Sequence, residues 1–536
     1  MPTLIQNAEP EPGRTHPSRG ERPRASMLRS ILTNWVAMAV AGVISFAITP
    51  ILVHRLGHLY YGMWILISSV LDYYGVLDMG LRTAIQRFVA RYRGADERTG
   101  LDKTLSTGLV LSSGLCLLIC GLTVPVARSL PGIFGIHEQE SHLFSQLVVL
   151  LGLSAAFTFP ARVLGAYLCG LQRYDLYNLN AIVGAVIRAA LLVAALKMGY
   201  GVWGCAVVAL ATTVLSLVMS AWLVMWADPD ASLSWKHATI KQSRELVSFS
   251  FYMLLATTGD LLRTRLDSFV IARWLGIALV TPYNVAARLI DHFRVVMFSL
   301  LGPLLTEMSA LDAKSSRAEL QRLFLRFSKV TALLSLCITV LLFVDGKALL
   351  RYWVGSDFVS SFSVLMVLAL GRCIAVGQTP SIVLLIACGR NRFVGWMTLI
   401  EGLANLALSV YWAHTYGLIG VALGTLVPLL ISKGLIQPWY TLSVAGVSTK
   451  QYLQKALAPP FVVCALFLGI CATCRLITSA DTGLLSFLAK LTAQILLFSL
   501  LTWIIGLSTE DRRSIGRQKL NVSWLRRTVV LTRQAS

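Results

Sequence analysis

A chain of 536 residues that is 56% hydrophobic, only 14% charged and of mean hydropathy +0.69 is too apolar for a water-soluble fold. Its net charge of +21 lies in short connections beside apolar runs, which marks them as lipid-facing anchors and excludes a nucleic-acid surface. All ten cysteines fall within or at the ends of those runs, and Cys471 and Cys474, a C-x-x-C on one helix face, have no second Cys or His pair nearby, so neither a metal nor a redox centre is expected.

Residues 1–28, rich in Pro, Arg, Glu and Ser, are expected to form a disordered cytoplasmic arm. A crossing needs about 20 apolar residues, and on that measure the sequence predicts an all-α integral membrane protein of about 14 transmembrane helices. They span 31–53, 61–81, 105–126, 147–171, 179–196, 202–226, 246–272, 280–305, 323–344, 362–387, 394–413, 418–435, 456–474 and 484–505. Connections are short, and the basic tail 509–536 is expected in the cytoplasm, either lying on the inner leaflet or disordered. With both termini cytoplasmic, about 32 basic residues fall inside, among them the Arg82 to Lys103 and Lys314 to Lys329 clusters and Lys433, against about 7 outside.

Several of these spans carry charge where hydrocarbon should exclude it. The second holds Asp72 and Asp78 with Tyr73 and Tyr74, the fourth Arg162 and the fifth Arg188. The seventh holds Asp260, Arg263, Arg265 and Asp267; Asp260, Arg263 and Asp267 share one face, and Arg265 is expected to point elsewhere. The eighth holds Arg288, Asp291, His292 and Arg294, the tenth Arg372, the eleventh Glu401 and the last Lys490. At roughly 2.5–3.5 kcal/mol for each central arginine, Arg162, Arg188, Arg263, Arg288 and Arg372 cannot go uncompensated. They must face water, carboxylates or an anion. Span interiors hold about two more cations than carboxylates, and a planar guanidinium suits phosphate oxygens. Arg263, Arg265, Arg288, Arg188, Arg372 and Arg162 are therefore the candidate binding residues for a phosphate-bearing ligand. Asp72, Asp78 and Asp260 are the candidates for coupling to H+ or Na+, since burial makes a carboxylate's charge depend on its surroundings. Spacing alone leaves open the alternative of a structural ion-pair ladder. Trp226, Trp274, Trp353 and Trp412 near span ends read as interfacial belts, with sugar stacking open for any that face a cavity.

Asp228-Pro229-Asp230 matches a D-x-D metal signature, but no soluble α/β domain accompanies it, and it reads as a turn ending a helix. The segment 228–245, with Trp235, Lys236 and Lys241, is expected along the inner surface as the hinge-bearing linker between two lobes, 29–227 and 246–440. The lobes follow from an internal repeat. Arg55-Leu56-Gly57 and Arg273-Trp274-Leu275-Gly276 each end a span, and Trp64 and Tyr283 stand seven residues after the glycines. Gly170 to Tyr174 matches Gly389 to Phe393, and Gly201 to Ala206 matches Gly417 to Ala422, all at offsets of 216–219. Six spans separate the copies, so the repeats are parallel and related by a pseudo-two-fold axis along the membrane normal, with spans 13 and 14 (441–508) as an addition.

The residues resemble the polysaccharide transporter family, the O-antigen and exopolysaccharide flippases of the multidrug/oligosaccharidyl-lipid/polysaccharide exporter superfamily. Leu56-Gly57 with Tyr61-Gly62-Met63-Trp64, Leu77-Asp78-Met79-Gly80-Leu81 with Ala84 and Arg87, the Gly170 to Asn178 stretch, and Asp267 to Gly276 with Tyr283, Ala286, Ala287, Arg288 and Leu289 carry the resemblance. It implies two six-helix lobes around a cationic cavity lined by spans 1, 2, 7 and 8. It implies a bacterial inner-membrane flippase that moves an undecaprenyl-pyrophosphate-linked oligosaccharide outward, ion-driven and without a cofactor. Arg263, Arg265 and Arg288 would receive the pyrophosphate. The implied partners are membrane lipids, a polysaccharide polymerase and export machinery. A multidrug cation antiporter of the same architecture is the competing reading, and it calls for an acidic or neutral cavity. A membrane polymerase or ligase would need a large external loop, and the sequence has none.

Overall fold

The computed structural model describes residues 23–78, 80–231, 238–240, 242–243, 246, 261, 265–313, 316–477, 483–508 and 512. Every regular element among them is helical, and ten stretches are long and apolar enough to cross a membrane. Two of the ten, Thr33–Gly94 and Arg392–Ala445, run for 62 and 54 residues, well beyond the roughly 20 of one crossing. Each is broken by a glycine at positive φ, Gly57 at 73° and Gly417 at 57°, a backbone state that side-chain-bearing residues adopt only at a cost. The expected divisions between spans 1 and 2 and between spans 11 and 12 fall at these breaks. Span 7 is described only from residue 265, apart from Leu246 and Leu261, and leads through a π-helical turn, Ile271–Leu275, and Gly276 into the 34-residue helix Val280–Ala313. The first helix begins at Pro23, inside the segment expected to be a disordered arm; residues 1–22 and the tail beyond 512 lie outside the described residues.

The sequence repeat is also a backbone repeat. Positive φ recurs at Gly57 and Gly276, Gly135 and Gly355, Gln172 and Gly389, and Gly201 and Gly417. Each pair is separated by nearly the same number of residues, so matching turns close matching helix pairs.

Core packing differs between the two ends of the molecule. At the end carrying the Gly57 and Gly276 turns, one apolar cluster unites Leu56, Met63 and Phe159 of the first half with Tyr283, Leu350 and Val421 of the second. Hydrogen bonds cross here as well: Thr281 Oγ1 donates to His58 O at 2.6 Å and Trp353 Nε1 to Phe46 O at 2.9 Å. Gly62 lets the backbone at Ile277 come so close that a Cβ would sit 2.4 Å from the Ile277 carbonyl oxygen. At the opposite end each half has its own core. Leu81, Leu105, Tyr167 and Leu223 pack together in the first, and Leu304, Phe324, Leu384 and Tyr452 in the second.

Polar contacts also tie the helices together away from the shared core. Asp228 receives Arg98 Nη1 at 2.7 Å on both carboxylate oxygens and Tyr167 OH at 2.6 Å, which ties the end of the sixth span to the third and fourth. The following linker is fastened to the third span: Thr239 N donates to Thr107 Oγ1, Gln242 Nε2 to Thr104 Oγ1, and Leu246 is buried in the first-half core. Trp235, Lys236 and Lys241 lie outside the described residues. Ala458–Ile477 and Leu484–Leu501 cover the helix Arg317–Trp353 through Leu333, Val463, Phe467 and Phe498, where Asp345 accepts Lys490 Nζ at 2.6 Å and Gln494 Nε2 at 2.7 Å. Lys490 is thus a structural cation. Lys433, counted on the inner side at the end of span 12, is buried within a helical stretch that continues to Ala445 rather than ending near 435. Its Nζ lies 3.6 Å from Glu401 Oε2 and donates to Gln437 Oε1 at 2.9 Å, while Ser432 Oγ donates to Glu401 at 2.7 Å.

Candidate functional site

Below the shared core, the first, second, seventh, eighth and tenth spans enclose a cavity of about 960 Å³. The first span contributes an apolar stripe, Trp35, Met38, Gly42 and Phe46, whose spacing of three and four residues keeps it on one helix face. Three arginines from the second half of the chain also line it: Arg265, Arg288 and Arg372.

Each guanidinium is held differently. Arg265 Nε lies 2.9 Å from Asp72 Oδ2, and with 44% and 41% of the two side chains exposed this is a solvated, weak pair. The side chain of Arg288 has neither hydrogen bond nor ion pair among the described residues. Its backbone carbonyl accepts from His292 Nδ1 at 2.6 Å, which fixes that ring in the cavity wall. Arg372 acts electrostatically on Asp267, which also lines the cavity.

Asp267 is the residue the sequence reading underrated. Spacing puts it on one face with Asp260 and Arg263, yet it is only 9% exposed and its Oδ2 accepts from Tyr283 OH at 2.6 Å and Thr425 Oγ1 at 3.0 Å. Asn405 Nδ2 supports Thr425 Oγ1 at 3.0 Å, and Ser409 Oγ reaches both Asn405 Oδ1 and Val421 O at 3.2 Å. Asp267 Oδ1 is buried without a hydrogen-bond partner among the described residues. A carboxylate among oxygen ligands, with one oxygen unused, can take up a proton or a small hard cation. Nothing local in the sequence announces this, since the partners come from the eighth, eleventh and twelfth spans.

The other candidates lie apart from the cavity lining. Arg162 is exposed, stands over the Phe159 ring at 5.6 Å and acts electrostatically on both Asp72 and Asp78. Asp78 closes the short 3₁₀ helix Tyr73–Asp78. Arg188 donates to Thr212 Oγ1 at 3.1 Å and Thr213 Oγ1 at 3.4 Å, within the first half. Arg263 and Asp260 lie outside the described residues. The candidate set therefore splits into three converging arginines, two separate ones and one undescribed.

A family profile described as polysaccharide biosynthesis protein matches residues 27–309, more than half of the chain. The chain belongs to this family. This polysaccharide biosynthesis family protein is 23% identical over 425 residues to a Shigella flexneri protein named as an O-antigen transporter, an alignment covering 78% of this chain and 98% of that one. Its fold matches a multidrug resistance MATE transporter of the MOP superfamily in an inward-facing conformation, with a TM-score of 0.68, 16% identity, and 78% of this chain and all of the other covered. Against an outward-facing MATE structure the TM-score is 0.57, at 17% identity and 78% and 96% coverage. Family and fold agree with the resemblance seen in the sequence. They belong to transporters and not to an enzyme.

Proposed function

We propose that this protein is a flippase that moves an undecaprenyl-pyrophosphate-linked oligosaccharide from the inner to the outer leaflet of the bacterial cytoplasmic membrane by alternating access. The observation that carries the reading is the convergence of Arg265, Arg288 and Arg372 on one cavity inside an otherwise apolar helical bundle. Guanidinium groups at that depth suit a phosphate-bearing ligand, whose charge offsets theirs and whose oxygens match the planar donor fork. Three arginines against Asp267 and Asp291 leave the lining with an excess of positive charge, which disfavours an organic cation and hence a multidrug exporter. The Shigella relative's name points to the same substrate class.

In this reading 29–227 and 246–440 are the rocking lobes and both termini are cytoplasmic. The separately packed end then faces the cytoplasm, and the described state is inward-open. Asp267 is the ion-coupling residue ahead of Asp72, Asp78 and Asp260, because it has a free buried oxygen and shares Arg372 with the substrate site. Whatever binds Asp267 changes how firmly Arg372 is held, so ion and phosphate affect each other's affinity.

The test uses everted vesicles loaded with labelled lipid-linked oligosaccharide. Arg288→Ala should lower flipping at least tenfold with membrane levels unchanged, in line with loss of a charge-assisted contact of roughly 1.5–3 kcal/mol. Undiminished flipping by this variant, or uptake of an organic cation by the wild type, rejects the proposal.

A further inference from the structure

The arginines account for a phosphate but not for what is attached to it, and one turn beyond them the cavity wall changes chemistry. Spans 7 and 8 run antiparallel through the Gly276 turn, and Asn284 Nδ2 donates to Ser268 Oγ at 3.2 Å, which puts the two residues at one depth. Arg265 precedes Ser268 by three residues and Arg288 follows Asn284 by four, so each arginine lies about one turn, roughly 5.4 Å, further from the shared core. Those spacings also place each arginine on the same helix face as its neutral neighbour. Ser268 and Asn284 therefore border the cavity between the arginines and its closed end.

The hydrogen-bonding state of this pair is determined by its partners. Asn284 Nδ2 also donates to Val280 O at 3.0 Å, and a backbone carbonyl only accepts, so the amide orientation is fixed. Both amide hydrogens are thereby used, and Oδ1 is left as an acceptor. Ser268 Oγ accepts from Asn284, and no acceptor among the described residues takes its own hydrogen; the residue is only 5% exposed. A fixed acceptor beside a fixed donor, both uncharged, matches a hydroxyl-bearing ligand, because each sugar hydroxyl gives one hydrogen bond and takes another.

We infer that Ser268 and Asn284 form a subsite for the sugar attached directly to the pyrophosphate. This rests on the flippase reading and deepens it. The pyrophosphate-linked sugar sits beside Ser268 and Asn284 on the closed-end side, and its phosphates lie one turn away on Arg265 and Arg288.

Binding to the full-length purified protein tests the subsite with two kinds of probe. One is farnesyl pyrophosphate; the others are glucosyl-, galactosyl- and N-acetylglucosaminyl-pyrophosphoryl farnesol. The wild type should bind at least one glycosylated probe more tightly than the bare one. Asn284→Leu should weaken that probe about tenfold, the scale of one or two hydrogen bonds, and leave farnesyl pyrophosphate unchanged. Ser268→Ala, a smaller change, should act in the same direction if the Leu variant does not fold. Equal weakening of both kinds of probe, no weakening at all, or no preference for any sugar in the wild type overturns the subsite. Arg288→Ala reports on the underlying reading separately: it should weaken every probe, and if it weakens none the phosphate assignment fails instead.

Discussion

Asp267 and Arg288 show how differently two charged residues can be placed in one cavity. Arg288 faces open space, whereas Asp267 is held by Tyr283 and Thr425 with one oxygen unused. Replacing Asp267 by Asn keeps the size and most of the hydrogen bonding while removing the titratable group. Asp267→Asn should bind lipid-linked oligosaccharide within about twofold of wild type yet lose the dependence of flipping on an imposed proton or sodium gradient. Flipping assayed with and without the gradient decides it; a variant that still responds removes Asp267 from coupling. The arginines of the cavity were legible in the sequence because the cost of a mid-membrane guanidinium belongs to a single residue and its apolar neighbours. The role of Asp267 was not, because its meaning depends on groups 16 and 158 residues away in the chain.

At the scale of helices, the Lys433–Glu401 pair joins the eleventh and twelfth spans across a π-helical turn, Leu430–Ile436, with 2% and 1% of the side chains exposed. Lys433→Met alone leaves a buried carboxylate without its cation and should cost about 3–5 kcal/mol. Combining it with Glu401→Leu should restore most of that loss, since apolar replacement of both members relieves the desolvation. Thermal unfolding of the purified single and double variants measures it; a single variant as stable as wild type would mean the pair carries little. Hydropathy misplaced Lys433 because a lysine normally ends an apolar run, and here the helix passes through it. The turn glycines were easier to read. Gly57 and Gly276 close their spans in both sequence and structure, since positive φ makes the residue type itself informative.

For the molecule as a whole, the asymmetry between ends is the central fact. Alternating access requires the shared core around Leu56 and Val421 to part while the separate cores at the other end meet. Cysteines placed at His58 and Thr281, neighbours across the closed end, should be bridged by a short bis-methanethiosulfonate reagent, and flipping should then stop until its disulfides are reduced. Continued flipping with the bridge complete would show that this end need not open. The bundle of apolar helices and its repeat could be read from pattern, because periodicity and turn glycines are local signals. Which end is shut could not, since both states satisfy the same pattern and differ only in which long-range contacts form.

The connection fastened along the third span has a mechanical consequence. Thr239, Gln242 and Leu246 hold it to the first half at three points. In the proposed cycle these three anchors ride with the first half, so the crossover between halves begins beyond Leu246 rather than at the end of the sixth span.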